Sequence, residues 1–320
     1  MRTCIRWMVS VLAVAAIPAD AQGYPTRPVR FIVPYAAGGS SDIIARLYGQ
    51  RLSETLGQTF VVDNRPGAGG VVGTEIVAKS LPDGYTLLLQ DMPHTINPAV
   101  YGKVPYDPVK DFTPITLVAR APQWLFLNPT VPAKSTRELI AIAKAQPGSL
   151  KIGSAGNGSG THLMAELLMH GAGVELTHVP YKGAGPAVTA TVAGEMNAVF
   201  TSMPAAIGFV QSGRLRPVGV TTAKRHPSHP EVPTFEESGV PNMVLHHWFG
   251  VLAPAGLPPA IQAKLVKEFT AAVSYPAIAE RYRNLILEPA TLTPDAFRKL
   301  IQTDLARWSK VVREAGIKAQ

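Results

Sequence analysis

The sequence repeats one unit, an apolar strand-like run followed by a glycine-rich loop and then an amphipathic helix. The unit occurs at residues 30–56 and again at 150–170. After the first loop, apolar residues recur at helical spacing, at Ile43, Ile44 and Leu47. Strands that alternate with helices are typical of parallel α/β sheets. This pattern constrains the fold more than any other feature of the chain, because it excludes all-helical and all-β architectures.

Strand and helix signals group into two sets, at 22–122 and at about 123–222. The material for packed cores is ample, since 46% of the whole chain is hydrophobic. We therefore predict two α/β lobes joined by hinges near 115–127 and 215–225, with a ligand cleft between the lobes.

The segment after these two sets shows helices but no third set of strands. Residues 258–273 are amphipathic, and residues 293–295 supply a capping threonine, a first-turn proline and an acid for a further helix. A helical tail without its own core has to pack on a neighbour, and we predict that this tail returns to the first lobe. The predicted lobes are 22–122 plus 223–320 for lobe 1, and 123–222 for lobe 2.

The first 21 residues are typical of a secretory signal peptide. Arg2 and Arg6 make a basic start, residues 8–17 form an apolar run, and residues 19–21 form an Ala-x-Ala cleavage site. The apolar run is too short for a membrane anchor, which needs about 20 residues. We therefore expect a periplasmic mature chain that begins at Gln22.

Charge and cysteine usage exclude several classes of protein. Removing the signal peptide lowers the formal charge from +8 to +7, and the remaining Lys and Arg residues are dispersed, with Lys224-Arg225 the closest cluster. Nucleic-acid binders concentrate these residues on one stripe. The single cysteine, Cys4, leaves with the signal peptide, which excludes a disulfide framework and a zinc site on paired cysteines. We expect a soluble monomer without metal or cofactor.

The two glycine-rich loops, 36–40 and 155–160, are the candidate ligand site. Each precedes a helix whose first N–H groups lack partners within the helix and whose dipole favours an anion. Glycines let a ligand approach the backbone closely. Such loops are also common as ordinary strand–helix turns, so their pairing in a two-lobed secreted chain is what indicates a grip on a carboxylate from both sides.

The same loops contain no cationic side chain. Residues 35–42 and 154–162 lack Lys and Arg. We predict that backbone N–H groups and hydroxyls hold the carboxylate, without an arginine clamp, and that a membrane permease recognises the closed form. The hydroxyls in question belong to Ser40, Ser41, Ser154, Ser159 and Thr161.

Three other chemistries have weaker support. The glycine spacing at 156–160 departs from the dinucleotide-binding fingerprint, whose third glycine comes three residues after the second. His162, Glu166 and His170 recur every four residues but extend too far along a helix for one metal ion, which favours an exposed polar face. A secreted serine hydrolase that uses Ser159 and His162 stays open as the alternative to a binding protein, although no Gly-x-Ser-x-Gly elbow is present.

Ordered motifs run through the whole mature chain. They are Pro25-x-Arg27-Pro28-Val29-Arg30, Gly38-Gly39-x-x-Asp42, Asn64-Arg65-Pro66-Gly67-Ala68-Gly69-Gly70, Pro82-Asp83-Gly84-Tyr85-Thr86-Leu87-Leu88, Val104-Pro105-Tyr106-Asp107-Pro108, Gly153-Ser154-Ala155-Gly156-Asn157-Gly158-Ser159, His178-Val179-Pro180-Tyr181-Lys182-Gly183, Val232-Pro233-Thr234 and Ala253-Pro254-Ala255-Gly256. In this series the chain resembles the Bug family, the extracytoplasmic solute receptors of tripartite tricarboxylate transporters.

The resemblance implies a two-lobed periplasmic-binding-protein fold of the type II kind, with two hinge strands. It also implies a receptor, not an enzyme, that binds a small organic acid and delivers it to two membrane subunits of the transporter. Family ligands lie between the loops that correspond here to 35–42 and 154–162. Ala36-Ala37 stand where members often have two prolines. Thr201 stands where many have an acid, which weakens the case for amino-acid ligands.

The segment Gln90-Asp91-Met92 ends a strand of the first set and is expected to reach the same cleft. Asp91 could there oppose a second negative charge, or accept a hydrogen bond from a hydroxyl or an amine; it could equally be a turn or cap acid. The candidate ligand-binding residues are Tyr35, Ala36, Ala37, Gly38, Gly39, Ser40, Asp42, Asp91, Met92, Ser154, Ala155, Gly156, Asn157, Gly158, Ser159, Thr161, His162, Tyr181, Lys182 and Thr201.

Overall fold

The computed structural model describes residues 23–314, 316 and 317. The predicted signal peptide lies outside these residues. Within them the strands form two sheets, one of six strands and one of five. The strands are β1 Val29–Val33, β2 Phe60–Asn64, β3 Thr86–Asp91, β4 Phe112–Pro122, β5 Trp124–Leu127, β6 Lys151–Ser154, β7 Thr177–Pro180, β8 Ala198–Thr201, β9 Arg216–Val220, β10 His246–Pro254 and β11 Glu288–Pro289.

Helices cover both sheets, and most of them follow a strand. They are α1 Ser40–Leu56, α2 Val71–Ala78, α3 Pro93–Tyr101, α4 Thr136–Ala145, α5 Gly160–Ala172, α6 Ala184–Val192, α7 Ile207–Gln211, α8 Pro259–Val273, α9 Pro276–Leu285 and α10 Pro294–Glu314, with short 3₁₀ turns at Ala68–Gly70 and Met203–Ala205. Among the described residues, no helix combines the length and the apolar character that a bilayer crossing demands.

The six-stranded sheet has the order β11-β4-β10-β3-β1-β2, and the five-stranded sheet has the order β7-β6-β8-β5-β9. We call the part built on the six-stranded sheet the first lobe and the part built on the five-stranded sheet the second lobe. The prediction of a two-lobed α/β fold is confirmed. The expectation of a parallel sheet is wrong for three strands, because β10 runs antiparallel to β3 and β4, β11 runs antiparallel to β4, and β5 runs antiparallel to β8 and β9.

The chain passes between the two sheets at adjacent points. Gln123 alone separates β4 from β5. Its N–H donates to the Thr221 hydroxyl at 2.9 Å, and the Thr221 N–H donates back to the Gln123 carbonyl at 3.0 Å. The Thr221 hydroxyl also donates to the Leu245 carbonyl at 2.9 Å. These bonds tie the crossing segments into one narrow connection between the lobes.

The carboxy-terminal helices pack on the first lobe. Helix α8 lies against α1 and β4, and α10 lies against α3 and β4. Phe269 of α8 fills the core beside Phe31 of β1, with ring centroids 5.8 Å apart. The Trp248 indole N–H donates to Asp304 of α10 at 2.9 Å. The apolar faces of α8 and α10 are therefore buried against the first lobe, and this burial stabilises the fold.

Candidate functional site: the cleft between the lobes

Helix α1 begins at the edge of the first lobe that faces the second. Its N-cap is Gly39, and the cap makes no side-chain hydrogen bond, so the first N–H groups have no partner in the helix. Gly38 has φ +84°, a left-handed conformation that glycine adopts without strain. The turn therefore depends on a glycine at this position.

Asp42 organises this turn from the first helical turn of α1. Its carboxylate accepts from the Gly38 N–H at 3.0 Å and from the Asn64 side chain at 3.0 Å, and it pairs with Arg46 at 2.9 Å. Burial raises the pKa of Asp42, but the hydrogen bonds from Arg46, Gly38 and Asn64 outweigh burial and lower that pKa overall. The candidate ligand residue Asp42 thus shapes the loop, and it does not line the cavity.

Helix α5 begins on the opposite side of the cleft. Ser159 is its N-cap, and the Ser159 hydroxyl accepts from the His162 N–H at 3.2 Å. Most N–H groups of the preceding loop are used within the loop. The N–H of Ala155 donates to the Thr161 hydroxyl, that of Gly156 to Ser154 and that of Gly158 to the His162 ring. The start of the helix, at Gly160 and Thr161, is consequently the part that faces a ligand.

A small cavity of about 40 Å³, counted as the space open to the centre of a water molecule, separates these two helix starts. None of the described residues that line it is lysine or arginine. Ser40 and Ser41 line it from α1, and Gly160 and Thr161 line it from α5. The remaining lining residues are Tyr35, Gly39, Asp91, Pro93, Gln123, Ala155, Ser159, Ala184, Thr201, Ser202, His247 and Phe249.

The lobes are closed over this cavity. The Ser202 hydroxyl of the second lobe donates to the Ser40 hydroxyl of the first at 2.7 Å. The Tyr101 hydroxyl donates to the Asn157 carbonyl at 2.7 Å, and the Ala36 N–H donates to the Lys182 carbonyl at 2.9 Å. The structure is therefore the state in which both loops face the same small space.

The structure brings eight of the twenty candidate residues to the cavity wall. These are Tyr35, Gly39, Ser40, Asp91, Ala155, Ser159, Thr161 and Thr201. The other candidates lie behind the wall or beside it: Ala36, Ala37, Gly38, Asp42, Met92, Ser154, Gly156, Asn157, Gly158, His162, Tyr181 and Lys182. Among these, the Lys182 side chain is exposed, and Asn157 and Lys182 contribute carbonyls to the contact between lobes.

Some lining residues were absent from the candidate set. They are Ser41, Pro93, Gln123, Gly160, Ala184, Ser202, His247 and Phe249. Ser41 and Ser202 adjoin candidates, so a wider window around each loop would have found them. Gln123, His247 and Phe249 come from the crossing segment and from β10, and no loop motif marks them.

The interpretation of His162 as part of an exposed helix face is wrong. His162 is 1% exposed, and its ring stacks on that of His178 with centroids 4.4 Å apart. Burial, with His162 as a neighbour, lowers the pKa of His178 to about 4. Among the described residues, no group of three or more His, Cys, Asp and Glu side chains is arranged to hold a metal ion.

The hydrolase alternative fails on geometry. The Ser159 hydroxyl meets the backbone N–H of His162, while the His162 ring accepts from the Gly158 N–H at 3.2 Å. A serine nucleophile requires its hydroxyl to donate to a base. Here the serine is a helix cap and the histidine supports the loop.

Two lobes that close on a small cavity at two helix starts define a two-lobed solute-binding protein. The profile described as "Tripartite tricarboxylate transporter family receptor" matches residues 44–317. The chain belongs to this receptor family, which includes Bug-named members, and it is therefore a receptor and not an enzyme.

Individual relatives agree with this assignment. The protein BugT of Bordetella pertussis is 39% identical over 305 residues, which cover 95% of this chain and 94% of BugT. An R. palustris protein solved with adipate is 38% identical, with a TM-score of 0.88 over 92% of this chain and 99% of that one. MatC from Rhodopseudomonas palustris, solved with bound malate, is 32% identical, with a TM-score of 0.84 over 90% of this chain and 100% of MatC.

Proposed function

We propose that this protein captures a small organic acid between its lobes and presents it, in the closed form, to the two membrane subunits of a tripartite tricarboxylate transporter. The observation that carries the proposal is the convergence of two helix starts on one cavity. Ser40 and Ser41 face Gly160 and Thr161 across a space whose described lining has no lysine or arginine. Helix N-termini favour anions through their dipoles and unpaired N–H groups.

The available donors are sufficient for useful affinity. A hydrogen bond to a charged group contributes roughly 1.5–3 kcal/mol. Three or four such bonds, reduced by the cost of association, reach about −8 kcal/mol, which corresponds to micromolar binding. Adipate and malate in the related structures support dicarboxylic acids as ligands.

The proposal extends to the organisation and location of the chain. We assign 22–122 and 223–320 to the first lobe and 123–222 to the second; the junction of β4 and β5 at Gln123 supports the first of these boundaries. We also propose that residues 1–21 direct export and are removed, and that the receptor works as a monomer in the periplasm. Family membership and the composition of the first 21 residues support the proposed location.

A thermal-shift screen of the purified mature protein tests the function. Succinate, malate, adipate and citrate are compared with the matched uncharged diamides of succinate and adipate. An acid at 100 times its dissociation constant stabilises the folded state by about 2.7 kcal/mol, which raises Tm by several degrees at roughly 2–4 °C per kcal/mol. We expect at least one acid, and neither diamide, to raise Tm. Equal shifts with acids and diamides, or no shift with any acid, would overturn the proposal.

A further inference from the structure

Asp91 is a carboxylate in the wall of a cleft proposed to hold an acid. It ends β3 and is 6% exposed. The Tyr35 hydroxyl donates to its Oδ1 at 2.8 Å, and the Ser41 hydroxyl donates to its Oδ2 at 3.0 Å. No other Asp or Glu lines the cavity among the described residues, and Thr201 is not acidic. A bare carboxylate here would repel an organic acid and attract an ammonium group.

His247 covers that carboxylate. Its Nε2 lies 3.3 Å from Asp91 Oδ2, and the side chain is 6% exposed. A hydrogen on Nε2, in the neutral or the charged ring, presents positive charge to the carboxylate. Together with the Tyr35 and Ser41 hydroxyls, the imidazole lies against Asp91 at three of the roughly four positions where a carboxylate accepts hydrogen bonds.

The imidazole also fills the space that an ammonium group would need. His247 lies on β10 opposite Ala121, and its ring packs against Phe249 with centroids 5.0 Å apart. Across the cleft it lies on Gly160, where an added Cβ would come within 2.8 Å of the His247 Cε1. The ring is therefore held between Asp91 of one lobe and the start of α5 in the other. Its Nδ1 is buried without a partner.

We propose that His247 is a specificity-determining residue that excludes amine-bearing ligands by covering Asp91, so that the receptor selects non-aminated organic acids over the corresponding amino acids. This rests on the proposed function and narrows its ligand class. Without the ring, Asp91 Oδ2 would face the cavity and offer a charge-assisted hydrogen bond to a ligand ammonium group. With the ring in place, an ammonium meets positive charge and occupied space.

Isothermal titration calorimetry near neutral pH tests this with matched pairs, succinate against aspartate and adipate against 2-aminoadipate. We expect the wild-type protein to prefer the non-aminated member of each pair. His247→Ala should shift the affinity ratio toward the amino acid by about tenfold or more, as one charge-assisted hydrogen bond replaces one repulsion. His247→Gln, which keeps an N–H donor beside Asp91, should retain the wild-type preference.

The double variant His247→Ala with Asp91→Asn separates specificity from packing. It removes the imidazole as His247→Ala does, but it leaves no carboxylate at position 91. The shift of the affinity ratio toward the amino acid should therefore disappear. His247→Ser serves as the second uncovering variant if the alanine variant does not fold. An unchanged ratio in the folded uncovering variants, or an equal shift in the double variant, overturns this inference alone. A wild-type protein that binds no member of either pair overturns the proposed function and this inference with it.

Discussion

Gly160 shows how one missing side chain sets the distance between the lobes. It begins α5 directly under the His247 ring, and an added Cβ would lie 2.8 Å from Cε1 and 3.1 Å from Nδ1 of that ring. Both approaches are tighter than ordinary contacts between carbon and nitrogen atoms. The added Cβ and the His247 ring belong to different lobes, so either the ring must shift or the cleft must open.

Replacing Gly160 by Ala should weaken binding of the best acid by about tenfold or more while leaving the unfolding free energy within about 1 kcal/mol of wild type, because alanine suits a helix better than glycine. Calorimetric titration and urea unfolding measure the two effects. Gly208→Ala on α7 is the matched control, since nothing lies within 4 Å of its added Cβ. Unchanged affinity in Gly160→Ala would show that the lobes bind ligand without this close approach.

The residues of the site differ in how far sequence could predict them. Ser159 and Thr161 follow from local chemistry, because a serine in a glycine-rich turn before a helix is typical of an N-cap. Ser40 instead lines the cavity from the first turn of α1, whose N-cap is Gly39. The placement of Asp42 behind the wall depends on Arg46 and Asn64, and the second of these lies on another strand. Gln123 and His247 reach the cavity only through the pairing of distant strands, which local patterns do not encode.

At the scale of elements, the sequence predicted the repeated unit and missed the direction of several strands. The strand–loop–helix order at β1 and α1, and again at β6 and α5, is visible in the apolar periodicity. Strand direction depends on where the chain returns. Because β4 runs on into β5 and the chain comes back through β10, these strands oppose their neighbours. The segments that cross between the sheets show little hydrophobic periodicity, so the sequence pattern does not predict the direction of these strands.

Helix α3 carries a buried histidine whose protonation opposes folding. His94 is fully buried, its Nε2 meets the Pro108 carbonyl at 2.8 Å, and Phe112 packs edge-on at 5.0 Å. Burial lowers the pKa of His94 to about 4, from an ordinary value of 6.5. Below pH 6.5 His94 is protonated in the unfolded chain, but in the folded chain it stays neutral down to about pH 4. The free energy of unfolding therefore decreases as pH falls from 6.5 to 4.

The loss from His94 should reach about 2 kcal/mol between pH 7 and pH 5. Urea unfolding across this range measures it, with His94→Gln as the control, because glutamine keeps a donor for Pro108 and does not titrate. The wild-type protein should lose about 2 kcal/mol more than the variant over that range. Parallel pH profiles for the two proteins would contradict the assignment of this effect to His94.

At the scale of the whole molecule, the polar contacts between the facing loops of the cleft should measurably affect closure. The Tyr101 hydroxyl reaches across to the Asn157 carbonyl at 2.7 Å from the end of α3. Tyr101→Phe removes this bond and retains the ring. Since one hydrogen bond contributes about 0.5–1.5 kcal/mol net, acid affinity should fall roughly two- to tenfold.

Small-angle scattering with and without saturating acid, together with calorimetry, follows this closure. The variant should retain wild-type compaction at saturating acid but need more acid to reach it. Tyr85→Phe is a matched control, because its hydroxyl bonds Thr26 within the first lobe. If affinity fell equally in both variants, the loss would not reflect closure.

The place of β10 bears on how the chain can be made and moved. This strand lies inside the six-stranded sheet, between β3 and β4, but in the sequence it begins only at His246, after every strand of the second lobe. A polypeptide emerging from the ribosome cannot complete its first lobe until the whole second lobe has followed. Pairing between strands so distant in sequence is slow to form. The first lobe therefore stays incomplete until nearly all of the chain has been synthesised, which suits the proposed export through a channel that admits only unfolded polypeptide.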